Sequence, residues 1–396
     1  MFLHTTFSIY INVVCTLSTL LQAFAFVPKR VDDESSSSSG GSWSGTFTSL
    51  PDMPRPRYRH GSAVVNTNGT LLCVLGGRDA SDAMIAEIDC YNSHTRSWST
   101  PSSLPNEHLV SDLAAFAYNA PGSDDEGMMV IVGGYTGPYM ATENVTLIKY
   151  ALSNENNGDI SDVTYTDGPR LIGKRGDVDV AIVSDYVYVS GGFTHEDEFA
   201  MPKNTVERIA LIDLLSSSSS DNSETTTTVT TWSNVDSLNQ ERGDKQLVGL
   251  NGRVYAMGGE TKIDGSGMDA ATEVLGRSEV LDTVEVFDPN ADVHGGLAEW
   301  RVLSDMPAQI FRFAAIDWQP NEDETGVIFV FGGQVGYDAD DCKCFRTTDK
   351  VMVLDVELAE LELMNGAASS SASSMTAFFI SIVSVTFASA VLCLVM

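Results

Sequence analysis

Five short apolar runs, each ending in a pair of glycines, constrain the fold of this chain more than any other feature of its sequence. The runs are rich in β-branched and aromatic residues, so they predict strands. The first glycines of successive pairs are 57, 58, 67 and 74 residues apart, which indicates one structural unit repeated along the chain. The pairs are Gly76 and Gly77, Gly133 and Gly134, Gly191 and Gly192, Gly258 and Gly259, and Gly332 and Gly333.

Further features recur in register with the glycine pairs. An arginine opens the strand before the pair in four units, a third β-branched strand follows it, and a tryptophan marks a fourth strand. The arginines are Arg59, Arg175, Arg242 and Arg312, and the tryptophans are Trp98, Trp232 and Trp300. As a set, these features resemble the kelch-repeat family of β-propellers, to which galactose oxidase-like enzymes also belong. The resemblance covers roughly residues 43–363 and implies an all-β ring of blades with the tryptophans packed between them.

Five blades are visible, and the last one lacks its tryptophan strand. The segment that begins at Trp43 and runs to Pro54 reads like the segment from Trp300 to Pro307. We therefore predict that this amino-terminal strand completes the last blade and closes the ring. A degenerate sixth blade stays open as an alternative, with the inserts at 150–165 and 260–280 as its only sources.

The amino-terminal end is unlike the middle of the chain. Residues 7–26 are apolar or small and uncharged, and Ala23 and Ala25 fit a signal-peptidase cleavage site, so residues 1–25 are predicted to be a signal peptide. A signal anchor and a plastid presequence are the alternatives, and the acidic residues from Asp32 to Glu34 disfavour the plastid. A serine-rich linker, 26–42, would join the signal to the propeller, 43–364.

The carboxyl-terminal end carries a second hydrophobic segment, 377–396, with no basic residue after it. A small and polar spacer, 365–376, precedes this segment and starts with Asn365, Gly366 and Ala367. This pattern predicts a glycosylphosphatidylinositol (GPI) anchor attached at Asn365. A single transmembrane helix is the alternative. Both termini together predict the secretory pathway and a membrane-anchored place at the cell surface, with plain secretion or a plastid as alternatives.

Four cysteines lie outside the two hydrophobic ends, and an even number in an exported chain predicts disulfides. Cys73 and Cys90 can pair across adjacent strands of one blade, or either can pair with Cys342 or Cys344 across the ring closure. Asn68 and Asn144 each begin an acceptor sequence for N-glycosylation.

The charge balance restricts the partners. The chain has 54 acidic and 23 basic residues and a net charge of −31, so it repels the phosphate backbone of nucleic acids. The tripeptide Arg-Gly-Asp occurs at 175–177 and again at 242–244, but both copies hold the same repeat position, so repeat structure explains them better than adhesion does.

The sequence gives no catalytic constellation, metal site or cofactor motif. We find neither the tyrosine, cysteine and histidine set of a galactose oxidase-like copper site nor the iron-binding set of plant specifier proteins. We therefore expect a non-enzymatic scaffold whose loops bind a protein or a glycan on one propeller face. The alternative is a secreted propeller enzyme of the oxidase or sugar-epimerase type. Convergent histidine, tyrosine or arginine side chains at the mouth of the channel would favour that alternative.

Overall fold

The computed structural model describes residues 50–65, 71–118, 126–152, 160–196, 199–216, 231–262, 268–269, 278–291, 298–319, 326–338, 344–348 and 350–356. The described residues from 53 onwards belong to one compact unit. Its strands build five antiparallel blades in a ring, which confirms the predicted all-β propeller.

Each blade is an antiparallel sheet whose strands we call a, b, c and d in chain order, and short extra strands occur in the b–c connections. Blade 1 contains β1 (Gly61–Val64), β2 (Leu71–Leu75), β3 (Glu87–Asn92) and β4 (Ser97–Ser103). Blade 2 contains β5 (Ala114–Tyr118), β6 (Glu126–Val132), the hairpin β7 (Tyr135–Thr136) and β8 (Met140–Ala141), then β9 (Val145–Leu152) and β10 (Ile160–Asp167). Blade 3 contains β11 (Asp179–Val183), β12 (Tyr186–Ser190), the hairpin β13 (Phe193–Glu196) and β14 (Phe199–Pro202), then β15 (Val206–Ala210) and β16 (Ser233–Val235).

The last two blades follow the same order. Blade 4 contains β17 (Gln246–Leu250), β18 (Arg253–Met257), the short strands β19 (Glu260–Lys262), β20 (Met268–Asp269) and β21 (Ser278–Val280), then β22 (Val284–Phe287) and β23 (Trp300–Val302). Blade 5 contains β24 (Ala314–Trp318), β25 (Val327–Phe331), the hairpin β26 (Gln334–Asp338) and β27 (Cys344–Thr347), then β28 (Val351–Asp355). One turn of 3₁₀-helix, Asn106–His108, and one short helix, α1 (Leu211–Ser216), lie between these strands.

Apolar clusters between neighbouring blades form the core. Blades 1 and 2 share one cluster, and further clusters join blade 2 to blade 3, blade 3 to blade 4 and blade 4 to blade 5. Because a blade is covered on both faces, strand b carries apolar residues at successive positions instead of alternating with polar ones. Two tryptophans lie at these junctions, where the Trp232 indole donates to the carbonyl of Pro169 at 2.8 Å and the Trp300 indole donates to that of Asp236 at 2.9 Å.

The glycine pairs also belong to the junctions. At four of them the N–H of the second glycine donates to a carbonyl in the loop that leads into strand a of the next blade. The pairs of donor and acceptor are Gly77 and Val110, Gly134 and Arg175, Gly192 and Arg242, and Gly259 and Ile310. The loop backbone comes so close that a Cβ on the first glycine would collide with it, and at Gly258 this Cβ would lie 2.6 Å from the carbonyl oxygen of Ile310.

The junction between blade 5 and blade 1 differs from the other four. Among the described residues, the first glycine of blade 5, Gly332, has only the carbonyl oxygen of Thr348, from its own blade, within 4 Å of its Cβ position. Blade 5 has three paired blade strands among the described residues, and several apolar side chains of this blade and blade 1 are exposed. These side chains are Val64, Leu72, Ile316, Trp318, Phe331, Val351 and Val353. The predicted closing strand at Trp43 lies outside the described residues.

The alternative of a sixth blade is wrong. The described part of the insert at 150–165 belongs to β9 and β10, which pair with each other as strands c and d of blade 2. The described part of the insert at 260–280 forms β19, β20 and β21 in the b–c connection of blade 4. Both inserts therefore elongate a blade or its loop without adding another.

A disulfide links Cys73 and Cys90, which are cross-strand neighbours on β2 and β3. Both cysteines are buried, so the bond lies inside blade 1. Pairing of either cysteine with Cys342 or Cys344 is therefore wrong, because its sulfur is already used within the blade.

No helix among the described residues has the length and apolar character needed to span a membrane. The predicted signal peptide, linker, spacer, Asn365 and the segment 377–396 lie outside the described residues, as does Asn68.

Candidate functional site

Five residues at equivalent positions, one per blade, form a ring that we call the collar. Each lies two positions before the first residue of strand a, and each has a left-handed backbone with φ between 50° and 58°. Its members are Arg59, Asp112, Asp177, Asp244 and Arg312. Backbone hydrogen bonds of 2.8 to 3.0 Å join neighbours in this ring, from Asp112 to Arg59, from Asp177 to Asp112 and from Arg312 to Asp244. A left-handed backbone costs a non-glycine residue about 1–2 kcal/mol, so the fold maintains strain here in all five blades.

The collar lies at the end of the propeller where the b–c connections emerge. In every blade the residue before the collar member forms a β-bridge with the residue after the glycine pair. The b–c hairpins are therefore attached to the collar and surround it, and we call this end the b–c face. Tyr135 from blade 2 covers Gly176, and Phe193 from blade 3 covers Gly243, where any side chain would collide with the aromatic ring.

Two ion pairs join collar members of opposite charge. The Arg59 guanidinium lies 2.7 Å from a carboxylate oxygen of Asp112, and that of Arg312 lies 2.8 Å from Asp244. Asp177 remains between the two aspartates, and its Oδ2 accepts a hydrogen bond of 2.9 Å from the Tyr135 hydroxyl.

Asp177 is the collar member with the most perturbed acidity. Burial, followed by repulsion from Asp244 and Asp112, raises the pKa of Asp177 well above its usual value, against the attraction of Arg59. The residue keeps a part of its surface accessible, although protein groups surround its carboxyl group closely enough to desolvate it. The collar therefore contains a partly exposed aspartate whose carboxyl group holds its proton more tightly than an ordinary aspartate does.

An aromatic cluster adjoins the collar at blades 1 and 2. The hydroxyls of Tyr58 and Tyr139 both donate to Oδ1 of Asp82, at 2.5 and 2.7 Å, and these two hydrogen bonds lower the pKa of Asp82. The guanidinium carbon of Arg78 lies 4.1 Å from the centre of the Tyr139 ring, and that of Arg59 lies 5.2 Å from it. Tyr58 is 42% exposed, so the cluster presents a fixed aromatic surface to solvent beside the collar.

The arginines singled out from the sequence fall into two different positions. Arg175 and Arg242 are fully buried and bind Glu207 and Glu285 on strand c of their own blades, at 2.5 and 2.7 Å. Their true counterpart in blade 1 is Arg57, which pairs with Asp89. Arg59 and Arg312 lie two positions further on, at the place that Asp177 and Asp244 occupy in blades 3 and 4, so the predicted common register of the four arginines is wrong.

The two Arg-Gly-Asp tripeptides are explained by this geometry. In each copy the arginine is buried in its ion pair, the glycine lies beneath an aromatic ring, and the aspartate belongs to the collar. A buried arginine is not available to an adhesion receptor.

Asn144 is half-buried and directly precedes β9 at the b–c face. The hydroxyl of Thr146, the third residue of this acceptor sequence, is within 3.0 Å of Nδ1 of His108. Trp98 packs against Tyr91 within blade 1, with ring centres 5.3 Å apart. Among the described residues, no three histidine, cysteine, aspartate or glutamate side chains converge closely enough to ligate a metal ion.

The sequence did not predict the collar as a site. The sequence feature that could have revealed it is a charged residue two positions after each buried arginine. Arg59 follows Arg57 in this way, Asp177 follows Arg175, and Asp244 follows Arg242. In blades 2 and 5 an apolar residue, Val110 or Ile310, replaces that arginine and hides the register. The aromatic cluster was missed because Tyr58, Asp82 and Tyr139 are distant in the sequence and share no motif.

No protein-family model matches the chain, and no curated protein matches it. Among solved structures, that of YjhT, a propeller, is similar, with 13% sequence identity and a TM-score of 0.51 over 80% of this chain and 88% of that chain. At this identity the similarity shows the propeller fold alone. Membership of the kelch-repeat family stays a prediction.

Proposed function

We propose that this protein is a glycan-binding propeller whose site is the collar and the aromatic cluster at the b–c face. The single observation that carries the proposal is the pair Tyr58 and Tyr139, whose rings are held in place through their hydroxyls by Asp82. Partly exposed aromatic rings pack against the apolar faces of sugars, while carboxylate and guanidinium groups nearby bind sugar hydroxyls. Both kinds of group stand side by side here.

The test is a glycan array probed with the full chain and with Tyr139→Ala and Tyr58→Ala variants. The matched control is Tyr186→Ala, because Tyr186 is 38% exposed and lies under an arginine, Arg208, at the opposite end of the propeller. We expect retention of defined glycans by the unchanged protein and by the control, and at least tenfold weaker retention by both cluster variants. Equal retention by all four proteins would contradict the proposal.

A second candidate is an enzyme that acts on a sugar at the same place. The observation that favours it is the convergence of Arg59, Tyr135 and Asp177 at one mouth, where burial raises the pKa of Asp177. Groups with such a raised pKa serve as general acids. Incubation of the retained glycan with the protein, followed by NMR of the sugar, tests this candidate: turnover that Asp177→Asn abolishes supports it, and an unchanged sugar excludes it.

We propose further that the chain enters the secretory pathway and is displayed at the cell surface on a GPI anchor. The disulfide between Cys73 and Cys90 supports an oxidising compartment. Expression of the full chain in a eukaryotic host, followed by phosphatidylinositol-specific phospholipase C on intact cells, tests this proposal. Release of a protein that carries glycans at Asn68 and Asn144 is expected. Retention on the cells or a location in plastids would contradict it.

A further inference from the structure

The last described strand leads the chain away from the collar. Strand β25 runs towards the b–c face, because it ends at Phe331, directly before a glycine pair. β28 is antiparallel to it, and the last residue of β28, Asp355, lies opposite Val327, the first residue of β25. The chain therefore leaves blade 5 at the other end of the propeller, where the turns at 184–185 and 251–252 lie. We call this end the opposite face.

The predicted anchor site is close to this exit along the chain. Asn365 comes nine residues after Val356, the last described residue. A segment of that length spans at most about 32 Å. β25 and β28 have five residues each, so the two faces of blade 5 are about 17 Å apart, and the hairpin of β26 and β27 extends the b–c face by up to about the same length. A collar turned towards the membrane would need the segment to run back past the blade and its hairpin, which takes its full length.

The opposite face carries side chains of the kinds that are found at a lipid–water boundary. The backbone N–H of Leu211 donates to the carbonyl of Asp185 at 2.8 Å, which brings Ile212 of α1 close to Tyr186. Ile212 is 71% exposed, and the guanidinium carbon of Arg208 lies 4.6 Å from the centre of the partly exposed Tyr186 ring. Aromatic rings, and cations with apolar stems, are typical of this boundary. The net charge of −31 disfavours an anionic lipid surface, so a zwitterionic one fits.

The b–c face carries the opposite kind of group. Asn144, a predicted glycosylation site, lies at this face, where its carbonyl accepts from the N–H of Gly133 at 3.0 Å. It is half-buried, so a part of its surface is open to solvent. A glycan is bulky and hydrophilic, so a glycan on Asn144 would hold the b–c face away from lipid.

We infer that the opposite face lies against the zwitterionic lipid surface that carries the anchor, while the collar and the aromatic cluster point away from it and take their glycan in trans. The glycan is then dissolved or attached to another surface, and glycolipids of the same membrane are out of reach. This inference rests on the proposed anchor for the membrane and on the proposed glycan site for the ligand. The direction of β28 and the side chains at the opposite face are independent of both.

Energy transfer to the lipid measures the orientation directly. The full chain is displayed on eukaryotic cells with a fluorescent amino acid in place of Met140, on the b–c hairpin of blade 2, or of Asp185, in a turn of the opposite face. Both residues are exposed, so the labels leave the core unchanged. With a lipid acceptor in the outer leaflet, we expect transfer from position 185 to be at least twofold more efficient than from position 140. Equal transfer, or stronger transfer from position 140, would overturn the inference.

Competition for glycan-coated beads tests the ligand side. The beads carry the glycan that the array retains best, and they are added to cells that display the unchanged chain or the Tyr139→Ala variant. We expect the unchanged chain to capture the beads and the variant to lose them. Free glycan should block the capture, whereas the same glycan on a lipid in the displaying membrane should leave it unchanged. Block by the membrane-bound glycan would mean that the site is reached in cis, contrary to the inference.

The outcomes separate this inference from the proposals on which it rests. If phospholipase C releases the protein but both positions transfer equally, the anchor stands and the orientation is refuted. If the phospholipase leaves the protein on the cells while position 185 transfers more, the GPI anchor fails and the orientation stands. If the array retains no glycan, the glycan site and binding in trans fail together, and energy transfer still decides the orientation. A chain that does not reach the cell surface would refute both the anchor and the orientation.

Discussion

Three blades contain the same buried ion pair, between an arginine that precedes the collar and an acidic residue on strand c. Each guanidinium also donates to backbone carbonyls, as Arg242 does to Gly258 and Thr283, and Glu285 accepts from the backbone of Asn239 and Gln240. The pair therefore joins three separate segments of one blade. In blade 2 a hydrogen bond between His108 and Thr146 takes its place.

Removal of one partner of such a pair leaves a charge buried without compensation. We predict that Arg242→Met lowers the free energy of unfolding by about 3–5 kcal/mol. Arg301→Met is the control, because the Arg301 side chain is 40% exposed and lies 3.8 Å from Glu299, and it should change that free energy by less than about 0.5 kcal/mol. Urea denaturation measures the free energy of unfolding of the two variants. An equal loss in both would refute the assignment of Arg242 as a structural residue.

Lys245 follows the collar residue Asp244 and is buried, with no hydrogen-bond partner for Nζ among the described residues. Burial lowers its pKa from 10.5 to about 8, against the attraction of Asp179. Between these two values the unfolded chain binds a proton that the folded protein has lost, so this residue makes the folded protein more stable as pH rises. The expected contribution is about 1.4 kcal/mol per pH unit within that window.

Lys245→Met should remove this contribution. Chemical denaturation at several values of pH between 8 and 10 gives the slope of the free energy of unfolding against pH for the unchanged protein and for the variant. The difference between the two slopes is the contribution of Lys245, because the other titrating groups contribute equally to both. Parallel slopes would mean that Lys245 keeps its ordinary pKa in the folded protein.

At the scale of the strand and its connections, the glycine pair is the recurring element. In blades 1 to 4 the second strand ends where the backbone of the next blade crosses it, and a side chain has no room there. This element was predictable from the sequence because an apolar run is followed directly by two glycines, and few other backbone positions require glycine. The b–c hairpins were not predictable in the same way, because β7, β8 and β20 have only two residues each and show no periodicity.

The fifth junction provides an internal control for this role of glycine. Gly258 and Gly332 have nearly the same backbone, with φ of 56° and 57°, but among the described residues Gly258 lies against the next blade and Gly332 does not. Both alanine substitutions cost the left-handed strain of about 1–2 kcal/mol. Gly258→Ala additionally pushes Ile310 away, so we predict that it destabilises the protein by at least 2 kcal/mol more, in the range of overpacked sites. Thermal unfolding of the two variants compares them, and equal melting temperatures would contradict the packing role.

At the scale of the whole molecule, the repeat predicted five blades and their order, and only the structure excluded a sixth. The repeat did not predict the site, because the collar is formed by residues that come together only when five blades close, and their types change from aspartate to arginine around the ring. A repeat in the sequence fixes which positions are equivalent, but the chemistry of the site depends on how those positions differ.

Closure of the ring by the segment at Trp43 stays a prediction. If it is right, deletion of residues 43–50 should expose apolar surface of the last blade and lower the melting temperature, because a strand and a tryptophan are lost together. Deletion of the serine-rich stretch 35–42 is the control and should leave the melting temperature unchanged. An unchanged value for both deletions would mean that the ring is stable without this strand.

The central claim is that recognition takes place at the b–c face, around the collar. Hydrogen–deuterium exchange of the full chain, with and without the glycan that the array retains best, tests it most directly. We predict slower exchange in the bound protein at 58–59, 135–141 and 176–177, with no change in the turns at 184–185 and 251–252 of the opposite face. Protection of those turns, with the b–c face unchanged, would contradict the account.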